Sequence, residues 1–207
     1  MVSKARQPRE TASASGVERI LDAALEEFAT RGYEAASTNL IASKAGVAKG
    51  LVFHHFRSKE ALLEALFERE LRRVFEIVFV VDEGPTELFE RLHRLTMRKL
   101  ELAAHHQLSA EFMNVALTEA PSSLRPKLIA RQAQLLKTTW PKLLEGIDAT
   151  KLRSGVALGD AVETISLLSE GIEKQLGALM KTRTVTMAEL STRAWRHFER
   201  LRDGLYA

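Results

Sequence analysis

A cluster of basic side chains without acidic neighbours is the feature of this sequence best suited to binding a charged partner. Residues 37–59 hold no Asp or Glu, and their cationic or titratable bases are Lys44, Lys49, His54, His55, Arg57 and Lys59. Residues 1–9 add three more cations, again without an acid: Lys4, Arg6 and Arg9. Such segregated charge favours binding to nucleic-acid phosphates, even though the net charge of the chain is only +3.

Other chemistries have less support. The chain has no cysteine, which excludes disulfides, Cys zinc sites and a thiolate nucleophile. His54 and His55 are adjacent, so on a helix their side chains point about 100° apart, and without a third ligand nearby we predict no metal site. We find no Gly-rich phosphate loop, nucleophile elbow or distinct carboxylate pair. An enzyme is therefore the less favoured class, and no cofactor is expected.

The basic cluster lies on two short predicted helices joined by a tight turn. Gly46 permits the turn, while Ala42 and Gly50 are small enough for two helices to cross closely. Apolar side chains at helical spacing are expected in the core of this unit, among them Val47, Phe53 and Phe56. The pattern predicts a helix-turn-helix, whose second helix presents its polar face to a DNA major groove.

The rest of the sequence also predicts helices, about nine in all, and an all-α fold class. Capping signals at Ser15 and Thr186 open the first and last helices, and Ser58 caps a long fourth helix that reaches Val81. Pro141 is expected to kink or split the seventh helix. No apolar run is long enough to span a membrane and no secretory signal is evident, so a cytoplasmic location is expected.

Residues 17–67 resemble the DNA-binding segment of the TetR family of transcriptional repressors. The matching features are Ile20–Phe28, Gly32-Tyr33, Thr38, Ile41-Ala42, Ala45–Val47, Lys49-Gly50, His55-Phe56 and Ser58–Leu62. The resemblance implies an N-terminal three-helix helix-turn-helix domain, a C-terminal helical bundle and a homodimer. The corresponding division is a flexible basic arm (1–14), a DNA-binding domain (15–57) and a ligand-binding and dimerisation domain (58–207).

The resemblance also implies DNA-binding roles for eight residues, namely Thr38, Lys44, Lys49, Gly50, Leu51, His54, His55 and Lys59. Thr38, at a helix start, should bind a phosphate, as should Lys44, His55 and Lys59. The side chains of Lys49, Leu51 and His54 are expected near base edges, where leucine can contact a thymine methyl. Gly50 is expected to allow close approach. The basic arm can lie in a minor groove or remain a solvated tail.

The C-terminal helices carry two further predicted sites. Apolar stripes on the last two helices suit pairing with a second copy, at Ile165, Leu168, Ile172, Leu176, Leu179, Leu190, Ala194, Trp195, Phe198 and Leu201. The middle helices are rich in aromatic residues, and a predicted apolar effector pocket comprises Phe67, Phe75, Phe79, Phe89, Leu92, His93, Phe112, Met113, Asn114, Leu117, Gln132 and Trp140. An ordinary core would show the same apolar spacing.

Together these features predict a ligand-responsive regulator of transcription. In this interpretation a homodimer represses from a palindromic double-stranded operator and is released when a small hydrophobic effector binds, with the fourth helix as the lever. A fatty acid or acyl thioester is the first candidate effector, and a lipophilic drug-like compound is the second. The alternatives are a constitutive DNA-binding protein without an effector and a small helical enzyme. No membrane partner is expected.

Overall fold

The computed structural model describes residues 16–80 and 86–206, and these residues form nine α-helices without a β-strand. The helices are α1 (Gly16–Ala35), α2 (Thr38–Lys44), α3 (Lys49–Phe56), α4 (Lys59–Val78), α5 (Leu88–His105), α6 (Gln107–Thr118), α7 (Arg125–Leu143), α8 (Leu158–Thr182) and α9 (Met187–Leu205). No described helix is both long and apolar enough to cross a membrane. The predicted all-α fold class is confirmed.

Side-chain caps begin two of the helices where the sequence predicts them. The Ser58 hydroxyl accepts a hydrogen bond from the Ala61 N–H at 3.0 Å, at the start of α4. The Thr186 hydroxyl likewise accepts from the Glu189 N–H at 3.2 Å, at the start of α9. Each bond satisfies a backbone donor that the first turn of a helix would otherwise leave without a partner.

Pro141, where the sequence predicts a kink or a split, does not split α7. Only the last turn of the helix follows it, so the hydrogen bond that proline removes lies at the helix end. No sequence signal predicted the short 3-10 turn at Ala149–Lys151 or the bridge between Leu152 and Tyr206. The helix α4 ends at Val78, earlier than the predicted Val81, because the backbone leaves helical geometry at Phe79. The Ser15 cap and the arm at 1–14 lie outside the described residues.

A first hydrophobic core joins the three N-terminal helices to α4, α6 and α7. The fully buried rings of Phe28 on α1 and Phe112 on α6 lie 6.3 Å apart between centroids. Gly32 interrupts α1 with a φ of 73°, and a Cβ there would collide with the carboxylate of Glu119. Val52 anchors α3 to the same core. This core is therefore continuous across the predicted boundary between the two domains.

A second hydrophobic core lies among the C-terminal helices. The described end of α4 reaches it through Val78, and α5 packs against both α8 and α9. Its fully buried side chains include Phe89, Ile165, Leu190 and Phe198. Most of α4 thus lies in the first core, its last turn reaches the second, and it is an element that the two cores share.

A buried carboxylate, that of Glu70, fixes the middle of α4 to its neighbours. The Ser109 hydroxyl on α6 donates to Glu70 Oε2 at 2.6 Å, and Arg69 Nε donates to Oε1 at 2.9 Å. The Arg69 guanidinium also donates to Asp22 on α1, at 2.8 Å. Both oxygens of the buried acid are thereby satisfied, as a charge inside a protein requires. The network ties α4 to α1 on one side and to α6 on the other.

Candidate DNA-binding surface and effector cavity

The turn between α2 and α3 has the geometry that a helix-turn-helix needs. Gly46 has a φ of 64°, and its N–H donates to the Ser43 carbonyl at 3.1 Å. The Val47 N–H donates to the Ala42 carbonyl at 3.0 Å, which completes a Schellman ending of α2. Glycine is favoured here because other residues rarely adopt this backbone conformation. The turn sets the angle at which α3 leaves the core.

The helix α3 presents nearly its whole circumference to solvent. Val52 is its buried residue and Phe56 is half-buried, whereas Lys49, Leu51 and His54 are exposed. A helix of a small domain normally buries a broad apolar stripe, so an exposed helix of this kind favours contact with something outside the chain. The structure therefore brings the three residues predicted to lie near base edges onto one free surface.

Two expectations about α3 need correction. Phe53 was expected in the core, but its side chain is 37% exposed and its ring lies 5.9 Å from Lys49 Nζ. It points outward because it is one residue, about 100°, away from the inward-facing Val52. A Cβ on Gly50 would contact nothing within 4 Å, so packing inside the chain does not require glycine there. Among the described residues, none needs the space at Gly50, which leaves it available to an external partner.

Lys44 is held by two acids of α1. Its Nζ lies 2.8 Å from Glu26 Oε1 and 3.6 Å from Glu27 Oε2, and the hydrogen bond with Glu26 raises the Lys44 pKa. The Glu27 side chain is fully buried, and its Oε1 accepts from the Ser37 N–H at 3.1 Å. This carboxylate also lies 3.4 Å from Arg31 Nε. Glu27 thus positions the start of α2. The positive charge of Lys44 is largely balanced by Glu26 and Glu27 within the chain.

Lys59, at the first turn of α4, is also held in place. Its Nζ donates to the Glu34 carbonyl at 3.0 Å and lies 4.7 Å from the centre of the Tyr33 ring. Burial, followed by the nearby acids Glu60 and Glu34, raises the pKa of Tyr33. Thr38, the first residue of α2, is half-buried. Lys59 keeps two ammonium protons for another acceptor, and its position is fixed before any DNA arrives.

The two adjacent histidines are exposed near the end of α3. The ring centroids of His54 and His55 lie 5.3 Å apart, and the His55 ring contacts Phe56. Among the described residues, no group of three or more His, Asp and Glu side chains is placed to hold a metal ion. The pair can instead donate or accept hydrogen bonds at a nucleic-acid surface.

A cavity of about 370 Å³ lies between the described end of α4 and helices α5, α7 and α8. Its apolar lining consists of Phe79, Leu92, Leu95, Leu136, Trp140, Leu144 and Val162. Three hydroxyl groups, those of Thr96, Ser166 and Ser169, also line it, together with Lys99, Glu163 and Glu170. The volume falls in the range of known small-molecule sites.

Three of the twelve predicted pocket residues line this cavity: Phe79, Leu92 and Trp140. The structure does not bring the other nine to it. Phe67, Phe112 and Met113 belong to the first core, with Phe75 and Leu117 packed against that core. Phe89 is buried in the second core, Asn114 is exposed and Gln132 is half-buried. The aromatic residues are dispersed because α6 packs on α1 rather than around the cavity.

His93, predicted as a polar anchor of the pocket, lies elsewhere. Its ring packs edge-on against Trp195 and Phe198, at centroid distances of 5.1 and 5.5 Å. His93 Nε2 lies 3.3 Å from the Ser191 carbonyl oxygen. Burial lowers the His93 pKa, so the neutral ring is favoured. This histidine joins α5 to α9.

The ten residues predicted at the dimer interface fall into two groups that differ in burial. Six of its residues are buried inside the single chain, against α5, and cannot offer a surface to a second copy: Ile165, Ile172, Leu176, Leu190, Ala194 and Phe198. Four are half-buried and stay predicted interface residues: Leu168, Leu179, Trp195 and Leu201. The most exposed large apolar side chain of α8 is instead Leu167, at 65%.

Comparisons with known proteins agree with this geometry. The family model for bacterial regulatory proteins, tetR family, matches residues 20–66. The HTH-type transcriptional regulator TtgW of Pseudomonas putida is 33% identical over 100 residues, which are 48% of this chain and 71% of that protein. The chain belongs to the TetR family of bacterial transcriptional regulators.

Two other similar proteins extend the TetR-family match to the C-terminal helices. The fatty acid metabolism regulator protein of Bacillus subtilis (strain 168) is 27% identical over 138 residues, 67% of this chain and 71% of that protein. The solved structure of the fatty acid degradation regulator FadR from Bacillus halodurans is 25% identical, with a TM-score of 0.66. That match covers 87% of this chain and 96% of the other.

As a TetR-family protein, the chain is a DNA-binding transcriptional regulator, and the matched segment contains all of α2 and α3. Sequence reasoning missed two residues of this segment. Glu27 could have been separated from the surface acid Glu26, because it lies seven residues after Ile20 and three after Ala24 and so falls on the buried side of α1. Phe53 could have been found, since a helix of eight residues with one inward position must leave its neighbour exposed.

Proposed function

We propose that this TetR-family protein is a homodimeric repressor that leaves a palindromic operator when a small hydrophobic molecule binds its C-terminal helices. The observation that supports DNA recognition is the free surface of α3, with Lys49, Leu51, Phe53 and His54 exposed together. Phosphate contacts fix the register of such a helix, and Lys59 is suited to one because its ammonium is already positioned. The proposed contacts also include Thr38, Gly50 and His55.

A homodimer is proposed because one recognition helix reads only a few base pairs. Two copies related by a two-fold axis would place their α3 helices in successive major grooves, about 34–36 Å apart. The exposed side chain of Leu167 on α8 is the proposed contact, together with the half-buried residues of α9. In this view residues 15–57 recognise DNA and residues 58–207 bind ligand and pair.

The helix α4 is proposed to connect the two activities. It spans about 30 Å at 1.5 Å per residue, with Lys59 beside the recognition helix at one end. Phe79, which follows its last helical residue, lines the cavity at the other end. A ligand that binds better to a pivoted α4 would shift the recognition helices away from the half-site spacing. A coupling of about 1–3 kcal/mol would lower operator affinity about 5- to 150-fold.

The effector is proposed to place an apolar body among Phe79, Leu92 and Trp140. The similarity to the fatty acid metabolism regulator of Bacillus subtilis supports a fatty acid or acyl thioester. The mixed apolar and polar lining also suits a lipophilic drug-like compound. A constitutive DNA-binding protein without an effector remains the alternative, and it would show no ligand-dependent release.

The test measures binding of the purified protein to the DNA upstream of its own gene and to random DNA. Lys49→Ala should weaken operator binding more than random binding, because base contacts discriminate sequence. Lys59→Ala should weaken both about equally and reduce the slope of log affinity against log salt by about 0.9. Lys142→Ala, at an exposed lysine of α7, is the control and should change neither. Identical behaviour of the first two variants would show that the base and phosphate roles are wrongly assigned.

A further inference from the structure

The charged groups around the cavity are mainly acidic. Glu163 and Glu170 line it from α8, and neither has an ion-pair partner within 4 Å among residues 16–80 and 86–206. Seven residues apart on one helix, they lie on the same face, separated by about 10 Å along the axis. Ser166 lies between them and also lines the cavity. A group seated midway between the two acids would therefore lie about 5 Å along the helix axis from the backbone position of each.

Lys99, the one cation of the lining among the described residues, is already engaged. Lys99 Nζ lies 3.0 Å from Glu173 Oε1, and the Glu173 side chain is 23% exposed. Burial raises the pKa of Glu173, so its carboxylate depends on the lysine for stabilisation. An anionic ligand that recruited Lys99 would leave this half-buried carboxylate without its cation. It would also approach Glu163 and Glu170, which repel it.

The remaining lining of the cavity is largely apolar and aromatic. Phe79 and Trp140 line it together with the side chains of Leu92, Leu95 and Leu144. Aromatic faces favour both hydrocarbon and positive charge, since the centre of the ring face is negative. The cavity therefore combines apolar and aromatic surface with two carboxylates, those of Glu163 and Glu170, that have no ion-pair partner among the described residues.

We propose that this cavity takes an amphiphile with a cationic head group, which lies between Glu163 and Glu170 while its apolar body contacts Phe79 and Trp140. The proposal rests on the proposed function of ligand-dependent release, and within it favours a cationic amphiphile over a fatty acid as the effector. Thr96, Ser166 and Ser169 already donate to carbonyls of their own helices, so they can offer only acceptor oxygens to the ligand. Acceptors and carboxylates suit a cation better than an anion.

Three probes with the same ten-carbon chain separate the head-group classes: decyltrimethylammonium, decanol and decanoate, all below their micelle concentrations. Trp140 reports binding by fluorescence in a Trp195→Phe protein, because the chain has two tryptophans. Decyltrimethylammonium should bind at least tenfold more tightly than decanoate at low salt, and the difference should shrink as salt screens the acids. Tighter binding of decanoate would overturn the proposal.

Charge variants test which residues set this preference. A double variant, Glu163→Gln with Glu170→Gln, should bind decyltrimethylammonium about 3- to 30-fold more weakly, since each exposed ion pair contributes little. Glu199→Gln, at an exposed acid of α9, is the control and should leave binding unchanged. Lys99→Met should leave cation binding unchanged or tighten it. If it abolished binding of the preferred probe, the ligand would be an anion held by Lys99 and the proposal would be wrong.

The unsubstituted protein, mixed with the same probes and labelled operator DNA, separates failure of this proposal from failure of the proposed function. Release of DNA by the cation, and not by decanoate, supports both. Release by decanoate alone overturns the cationic ligand and leaves ligand-responsive repression intact. Binding of the cation without any release of DNA supports the proposed cavity chemistry and contradicts the proposed coupling of the cavity to DNA binding through α4. A folded protein that binds neither DNA nor any probe would contradict both.

Discussion

Replacement of Glu27 by glutamine should loosen the helix-turn-helix while leaving its shape almost unchanged. The fully buried carboxylate accepts from the Ser37 N–H at 3.1 Å and faces Arg31 and Lys44 at 3.4 and 3.6 Å. Glutamine keeps an oxygen for Ser37, but it makes a charge-assisted bond neutral and places an amide against two cations. Losing the two ion pairs costs about 0.5–1 kcal/mol each, and the weaker hydrogen bond costs about 1 kcal/mol.

The expected loss for Glu27→Gln is therefore about 2–3 kcal/mol in the free energy of unfolding. For a chain of this size that lowers the melting temperature by about 4–12 °C. Urea unfolding followed by circular dichroism measures the difference. Glu26→Gln is a matched control, because Glu26 has a 52% exposed side chain and binds the same Lys44 at 2.8 Å. It should cost less than about 1 kcal/mol. Equal costs for the two variants would refute the view that burial makes Glu27 the organising acid.

Three further predictions concern recognition, pairing and pH. Phe53→Ala should leave the melting temperature nearly unchanged and weaken operator binding about fivefold, because burial of an exposed ring against DNA contributes about 1 kcal/mol; unchanged DNA affinity would place the ring outside the interface. Leu167→Asp should raise the dimer dissociation constant at least 30-fold in sedimentation experiments, since a two-fold interface buries the side chain twice; an unaltered dimer would move the interface elsewhere on the surface. Because burial lowers the His93 pKa, the unfolded chain takes up this proton first, so the stability from neutral His93 is complete above about pH 6.5 and is lost as pH falls through the lowered value. His93→Gln should therefore flatten the fall in melting temperature between pH 7.5 and 5, whereas His197→Gln, at an exposed histidine, should not; matching slopes in the two variants would assign the effect to other groups.

Local patterns predicted the helices and the exposure of most of α3, because caps, turn glycines and one inward position on α3 depend on neighbours in sequence. Ser58, Thr186 and Gly46 are where their spacing places them. The exposure of Lys49 follows from the same helical period as the burial of Val52.

Packing between distant helices could not be read in this way. An apolar stripe looks the same whether it faces α5 of its own chain, as Ile165 and Leu176 do, or a second copy. An aromatic residue likewise does not reveal which core it enters, so Phe112 was predicted beside a ligand although it packs against Phe28. The acids of the cavity, Glu163 and Glu170, resemble ordinary surface charge until α7 and the end of α4 are placed opposite them.

The continuity of the first core limits how this protein can be recombined with its relatives. A chimera that joined residues 16–57 of one regulator to the remaining helices of another would separate Phe28 from Phe112 and Gly32 from Glu119. Asp22 would likewise face a foreign residue in place of Arg69. A chimera that transfers residues 16–57 would therefore also need to transfer the residues of α4 and α6 that pack against them. The unit that can be exchanged between regulators is therefore a set of helices that pack together, and it does not coincide with one continuous stretch of sequence.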